Sequence, residues 1–177
     1  PLYHICSVID DIDFGITHVV RGEDHVTNTA CHVQMFEALG AKVPEFAHLP
    51  LLSDAQGGKL SKRLGSLSVQ SLRHDEQIEP MSIISFLARL GTSDPIEAYA
   101  DAQPLIESFD FSKFSKGAPK CDEEEIYRLN AKIIRDMPYS VAVERLEELG
   151  LNDSVVSEDY WMAVRPNLSK FNELKMW

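Results

Sequence analysis

The chain has 177 residues, 44% of them hydrophobic, and carries 17 Lys and Arg against 28 Asp and Glu, a net charge of −11. That length can bury one sizeable core, or a small core with a helical appendage. No run approaches the roughly 18 apolar residues that span a bilayer, no charged-then-apolar leader is present, and an acidic balance excludes nucleic-acid binding by the whole surface, though not by a local basic site.

The three cysteines, Cys6, Cys31 and Cys121, are far apart with no C-x-x-C spacing. This argues against a zinc site and a disulfide framework and for a reducing, cytoplasmic setting. The sequence opens at Pro1 without an initiator Met, as expected of a fragment of something longer.

In chain order, Tyr3–Ile9 and Ile16–Val20 read as two strands joined by a tight turn containing Asp10, Asp11, Asp13 and Gly15. The aspartates could ligate a metal, but a turn rich in Asx residues explains them more cheaply, and no metal site is expected. A helix follows from Asn28 to Leu39, with Val33, Phe36 and Leu39 as its apolar stripe and Gly40 as its stop. Phe46–Leu52 reads as a buried strand running into a turn over 53–58.

From residue 68 onward the periodicity is helical. Pro80 starts a helix with Ile83, Ile84, Leu87 and Leu90 on one face, ended by Gly91. Asp122-x-x-Glu125 has the form of a capping box ahead of Ile126, Leu129 and Ile133. Pro138 begins another helix bearing Val141, Leu146 and Leu149, stopped by Gly150. The fold class is therefore α/β followed by all-α, mostly α overall, with the change near the loop 57–66.

That loop reads GGKLSKRLGS, three cations within five residues of an acidic chain. It is not a P-loop, because Ser53 stands where the first glycine belongs and Leu60 follows Lys59. A solvated turn is the plain alternative. The flexible glycines and the apolar strand delivering the loop favour a ligand loop at a sheet edge.

A second charged cluster, HVVRGEDH (His18–His25), also follows an apolar strand. Arg21 could grip a carboxylate in a two-bond fork, or pair with Glu23 or Asp24. The six histidines show no H-x-x-x-H spacing and read as ordinary polar or packed residues, and Ser61 has no local base to make it a nucleophile.

Taken together, YHICSVIDDIDFGITHVVRGEDHVTNT, FAHLPLL and KLSKRLGSLSV resemble the second half of the catalytic core of bacterial glutamyl-tRNA synthetases, class I enzymes whose KMSKS signature KLSKR matches. The resemblance continues through EPMSIISFLARLGTSD and FDFSKFSKGAPKCDEEEIYRLNAKIIR to VRPNLSKFNELKMW, essentially the whole chain. Glutaminyl enzymes differ where this sequence reads RGEDH.

The resemblance implies the end of a Rossmann-type catalytic domain over 1–57. The signature loop with a stem-contact region would fill 58–137, and a helical anticodon-binding domain would begin over 138–177. It implies activation of glutamate by ATP, with Mg2+, and transfer to tRNA(Glu), or also tRNA(Gln), by a monomeric cytoplasmic enzyme. Lys62 would contact the triphosphate, Lys59 and Arg63 would support the same loop, and Ser61 would set its conformation. Arg21 and Tyr3 would hold glutamate. Asp24, His25, Leu51, Leu52 and Leu60 would line the nucleotide site.

One departure stands out. The family's H-x-G-H signature, which pairs with the KMSKS loop around the phosphates, occurs nowhere in these residues, so this stretch alone is expected not to catalyse. The alternatives are a glutamyl-Q tRNA(Asp) synthetase, against which the helical stretch 109–177 speaks, and a non-catalytic binding module.

Overall fold

The computed structural model describes residues 3–54, 57–58, 68–152 and 154–177. The chain divides into two compact units, Pro1–Leu52 with Ser115–Pro119, and Ser53–Phe114 with Lys120–Trp177.

In the first unit, helix α1 (Tyr3–Asp13) leads into strand β1 (His18–Gly22), a 3-10 turn (Glu23–His25), helix α2 (Val26–Ala38) and strand β2 (Glu45–Leu49). The strands pair in parallel with His18 opposite Glu45 and Gly22 opposite Leu49, so β1, α2 and β2 form a strand–helix–strand unit. The two-strand reading of the opening residues is corrected, because Tyr3–Asp13 is helical. Ile5, Val8, Ile9 and Ile12 recur at i, i+3, i+4 and i+7, and that period outweighs the β-branched character of the shorter stretch. Val8 from α1 and Phe36 from α2 are fully buried.

The aspartates expected in a turn sit instead in the last turns of α1, where the negative end of the helix disfavours them. The helix still ends cleanly. Gly15, at φ +64, donates its N–H to Ile12 O at 3.1 Å, and Ile16 N–H reaches back to Asp11 O at 2.9 Å. That left-handed position is one glycine occupies without a Cβ penalty.

The second unit is helical. It holds α3 (Val69–His74), α4 (Pro80–Arg89), α5 (Gln103–Glu107), α6 (Glu123–Asp136), α7 (Tyr139–Leu146) and α8 (Glu158–Val164), with short 3-10 turns between and after them. Its core gathers Ile134, Met137, Ala142, Leu146, Trp161 and Phe171 with their neighbours. Trp161 Nε1 and Arg165 Nη1 both donate to Met137 O, at 3.0 and 2.6 Å, satisfying a carbonyl that α6 leaves open at its end.

Three expectations in this unit are refined. On α4 the buried side is Ser82, Ile83, Ser85, Phe86 and Arg89, while Ile84 and Leu87 are each 44% exposed. The cap of α6 is one-sided: Asp122 accepts from Glu124 N at 3.1 Å, and Glu125 pairs with Arg128 instead. On α7, Ala142 and Leu146 face inward while Val141 is exposed.

Each buried polar side chain of α4 has at least one partner, although Arg89 Nε–H has none. Ser82 donates to Asn130 Oδ1 at 3.1 Å, Ser85 Oγ accepts Tyr99 N–H at 3.1 Å, and Arg89 bonds Asp94 and Ser108 at 2.6 Å each.

Candidate functional site

The first unit concentrates its chemistry at the carboxyl ends of β1 and β2, where open α/β folds place ligands. Arg21 and His48 lie opposite each other in the register, one step before Gly22 and Leu49. Past the strand ends, Leu51 N–H donates to Glu23 Oε1 at 3.5 Å, tying the two connections together. A Cβ on Gly22 would lie 2.5 Å from Asp24 Oδ1 and 3.0 Å from Leu51 Cδ2, so glycine keeps these turns close.

The Arg21 guanidinium sits 5.3 Å from the centroid of the Phe46 ring. Its Nη2 donates to Thr29 Oγ1 at 2.7 Å and to His25 O at 3.5 Å. Its Nε–H is buried without a hydrogen-bond partner, and Nη1 makes no hydrogen bond among the described residues. No ion pair joins Arg21 to Glu23 or Asp24 among the described residues; Asp24 lies 4.0 Å from His25 instead. The pairing that could have used up this cation is absent from its surroundings.

Beside Arg21 stands an aromatic group from α1, the turn and α2. Tyr3 Oη is 3.4 Å from His25 Nδ1, which is 3.1 Å from Asn28 Nδ2. The Tyr3 ring lies 5.2 Å from His4, 5.9 Å from His25 and 5.8 Å from His32. His4 Nδ1 and fully buried His32 Nε2 share a 3.0 Å hydrogen bond, and His32 Nδ1 is left without a partner. Burial, then the Arg21 charge, push the His32 pKa below its ordinary value. A neutral imidazole is thereby favoured next to a lone guanidinium.

The structure thus brings Tyr3, Arg21 and His25 together, with Asp24, Leu51 and Leu52 following the strand ends. Lys59, Leu60, Ser61, Lys62 and Arg63 lie outside the described residues. Just before them, Asp54 N–H donates to Gly58 O at 2.8 Å and Gly58 N–H to Asp54 Oδ1 at 2.6 Å, so the near end of the cationic segment is closed by two bonds.

The sequence reading missed Thr29, His48, His4 and His32. The signal was present in α2, because His25, Thr29 and His32 are spaced i, i+4 and i+7 and so share one helical face. Among the described residues, no three His, Cys, Asp or Glu side chains converge to hold a metal ion. A separate cleft of about 670 Å³ in the second unit is bordered by Ile78, Met81, Ile133 and Val141, and its Glu79–Arg145 pair at 2.7 Å ties α4 to α7. No Ser, Thr, Cys, Lys or His side chain borders it among the described residues.

A parallel strand–helix–strand unit with a cationic and aromatic cluster at its carboxyl end, followed in the chain by a helical unit, marks a Rossmann-like α/β fragment continued by helices. The family described as tRNA synthetases class I (E and Q), catalytic domain, matches residues 1–128, and the chain belongs to it.

The chain is 52% identical over 178 residues to a glutamate–tRNA ligase of Azospirillum brasilense, with all of this chain and 39% of that protein covered. It is 50% identical over 175 residues to glutamate–tRNA ligase 1 of Wolbachia sp. subsp. Brugia malayi (strain TRS), covering 99% of this chain and 38% of that one. It therefore spans under two-fifths of the length of the relatives it matches. Among solved structures, a glutamate tRNA ligase from Elizabethkingia meningosepticum, in complex with its amino acid, matches with a TM-score of 0.78 and 26% identity, over 99% of this chain and 40% of that chain. No helix among the described residues is long and apolar enough to cross a membrane.

Proposed function

We propose that this chain supplies the second half of the catalytic core of a glutamate–tRNA ligase. The enzyme activates glutamate with ATP to glutamyl-adenylate and passes the acyl group to the 3′ end of tRNA(Glu). The observation that carries this reading is Arg21. It is a guanidinium with no ion pair among the described residues, with Nε and Nη1 uncommitted, joined to Tyr3 through His25 at the carboxyl ends of parallel strands, in a chain half identical to glutamate–tRNA ligases.

In this reading Arg21 grips a carboxylate of glutamate, because a planar fork matches carboxylate geometry and an ammonium does not. The Tyr3 hydroxyl donates to the same group. Asp24, His25, Leu51, Leu52 and Leu60 line the nucleotide.

Lys62 neutralises charge building on the triphosphate as pyrophosphate leaves, and Lys59, Ser61 and Arg63 shape its loop. A loop closing on ATP and reopening after the first step suits that work, since the phosphoryl step depends on positioning and charge stabilisation. Mg2+ accompanies ATP and neutralises part of its charge. Residues 58–137 serve the tRNA stem and 138–177 begin the anticodon side. The enzyme is a cytoplasmic monomer, and tRNA(Gln) is a second acceptor to be tried.

The test is glutamate-dependent ATP–pyrophosphate exchange by the full-length gene product. Exchange with glutamate and none with glutamine is expected; absence of exchange with glutamate sinks the proposal. The 177-residue stretch alone, which contains no H-x-G-H, should give none.

A further inference from the structure

Arg21 is anchored by one side chain. Thr29, on the first turns of α2, places its hydroxyl 2.7 Å from Arg21 Nη2, 3.2 Å from the His25 carbonyl and 2.9 Å from His48 Nε2. A threonine hydroxyl has one proton and two acceptor lone pairs. Arg21 Nη2–H fills one lone pair; the hydroxyl proton and the other lone pair serve His25 O, which can only accept, and His48 Nε2, whose role follows its tautomer.

All three hydrogen-bonding positions of the hydroxyl group are thus taken up by backbone or by a strand residue. His48 comes from β2, Arg21 from β1, and Thr29 from the helix joining them. Among the described residues no carboxylate pairs with Arg21 to orient it, and its other side-chain neighbour is the Phe46 ring, whose centroid lies 5.3 Å from the guanidinium carbon and offers no hydrogen bond in the ring plane.

We propose that Thr29, oriented by His48, is the positioning residue for Arg21: it fixes the guanidinium by Nη2 and so aims the uncommitted nitrogens at the amino-acid carboxylate. This rests on the reading of Arg21 as the carboxylate grip. Thr29 touches neither substrate nor reacting atoms; it acts through Arg21. The chemistry singles out a hydroxyl at this position. Valine has the same shape but leaves Nη2 only the long 3.5 Å contact with the His25 carbonyl, whereas serine restores the close acceptor and omits only the methyl group.

The experiment uses the full-length gene product with Thr29→Val and Thr29→Ser. Glutamate-dependent ATP–pyrophosphate exchange is measured against glutamate and ATP separately. Thr29→Val is expected to raise the KM for glutamate at least about tenfold, equivalent to about 1.4 kcal/mol, with the KM for ATP within twofold. Thr29→Ser is expected to return the glutamate KM to within about threefold of the parent.

A glutamate KM unchanged in Thr29→Val overturns the proposal. So does an equal rise in both KM values, or a serine variant as impaired as valine. A second readout separates this inference from the functional reading beneath it. In the 177-residue chain, 15N NMR of the Arg21 side chain should show hindered Nη rotation that Thr29→Val releases and Thr29→Ser keeps. If the unaltered protein gives no exchange but Nη rotation behaves in this way, the functional reading fails and the anchoring of Arg21 stands. If rotation is equally free in all three, the anchor is refuted whatever the exchange result.

Discussion

Replacing Asn130 with Leu tests whether a single buried amide holds the helical unit together. Asn130 is fully buried on α6. Its Oδ1 accepts the Glu79 N–H at 2.7 Å and the Ser82 hydroxyl at 3.1 Å, while Nδ2 donates to Ser169 O at 2.6 Å. One amide thus joins the start of α4, α6 and the C-terminal segment.

Leucine keeps the branched outline of the amide but is bulkier, so the loss comes from stranded partners, with some crowding added, and not from a cavity. Ser82 can turn its hydroxyl to a carbonyl one turn back, and exposed Ser169 can bond water. Buried Glu79 N–H has neither outlet. Stranding that donor costs about 1–3 kcal/mol and the two weaker bonds together about 1, a loss of about 2–4 kcal/mol.

For a chain of this length that lowers Tm by roughly 4–16 °C. Urea unfolding followed by the fluorescence of buried Trp161 reads it, with an unchanged slope against denaturant. A loss below about 0.5 kcal/mol would refute the reasoning, because it would mean that Glu79 N–H finds water or another acceptor when the amide is gone.

Further outcomes follow from single features. Lys62→Ala in the full-length product should slow adenylate formation by about 100-fold or more while the thermal transition stays put, as measured by pyrophosphate exchange; an unchanged rate disposes of the role given to Lys62. His32, whose pKa burial lowers in the folded chain, should make stability fall as pH drops below the ordinary histidine value of about 6.5. The sign follows from proton counting, since between the folded and unfolded pKa values the unfolded chain binds the extra proton. His32→Gln should flatten that part of the stability–pH profile, measured by thermal melts between pH 5 and about 7.5. Gly15→Ala meets no atom within 4 Å, so its cost is the left-handed backbone alone, about 1–2 kcal/mol by urea titration.

The order of elements was legible wherever punctuation was strong. Pro80 and Gly91 bracket α4, Asp122 caps α6, and Gly40 follows the end of α2. What failed did so for physical reasons. Tyr3–Ile9 is too short to reveal its period, and only the extension to Ile12 separates helix from strand.

The inward face of α4 was misjudged because the helix is apolar on two sides. Its buried side is the one carrying Ser82, Ser85 and Arg89, which are acceptable there only because Asn130, Tyr99, Asp94 and Ser108 supply partners from distant segments. Such partners cannot be seen from a single helix. The same limit hid half of the site. Arg21 and Tyr3 were marked by the family resemblance, but Thr29 and His48 acquire meaning only when β2 pairs with β1 and brings His48 opposite Arg21.

That pairing also explains why arginine, and not lysine, suits position 21. A lysine ammonium held by the Thr29 hydroxyl and the His25 carbonyl would have spent most of its donors, leaving a point charge with no preferred direction. Arginine can surrender one nitrogen to those acceptors, keep its charge 5.3 Å from the centre of the Phe46 ring, and hold Nε and Nη1 in reserve. The arrangement costs stability, because a buried Nε–H without a partner is unfavourable. The neighbouring imidazoles sharpen the effect. With His32 disfavoured as a cation, the nearby charge stays concentrated on the guanidinium. On the reading proposed above, a carboxylate arriving there meets one directed positive group with the His32 ring favoured neutral beside it, and the unmet hydrogen-bonding capacity of Arg21 becomes part of the free energy of holding it.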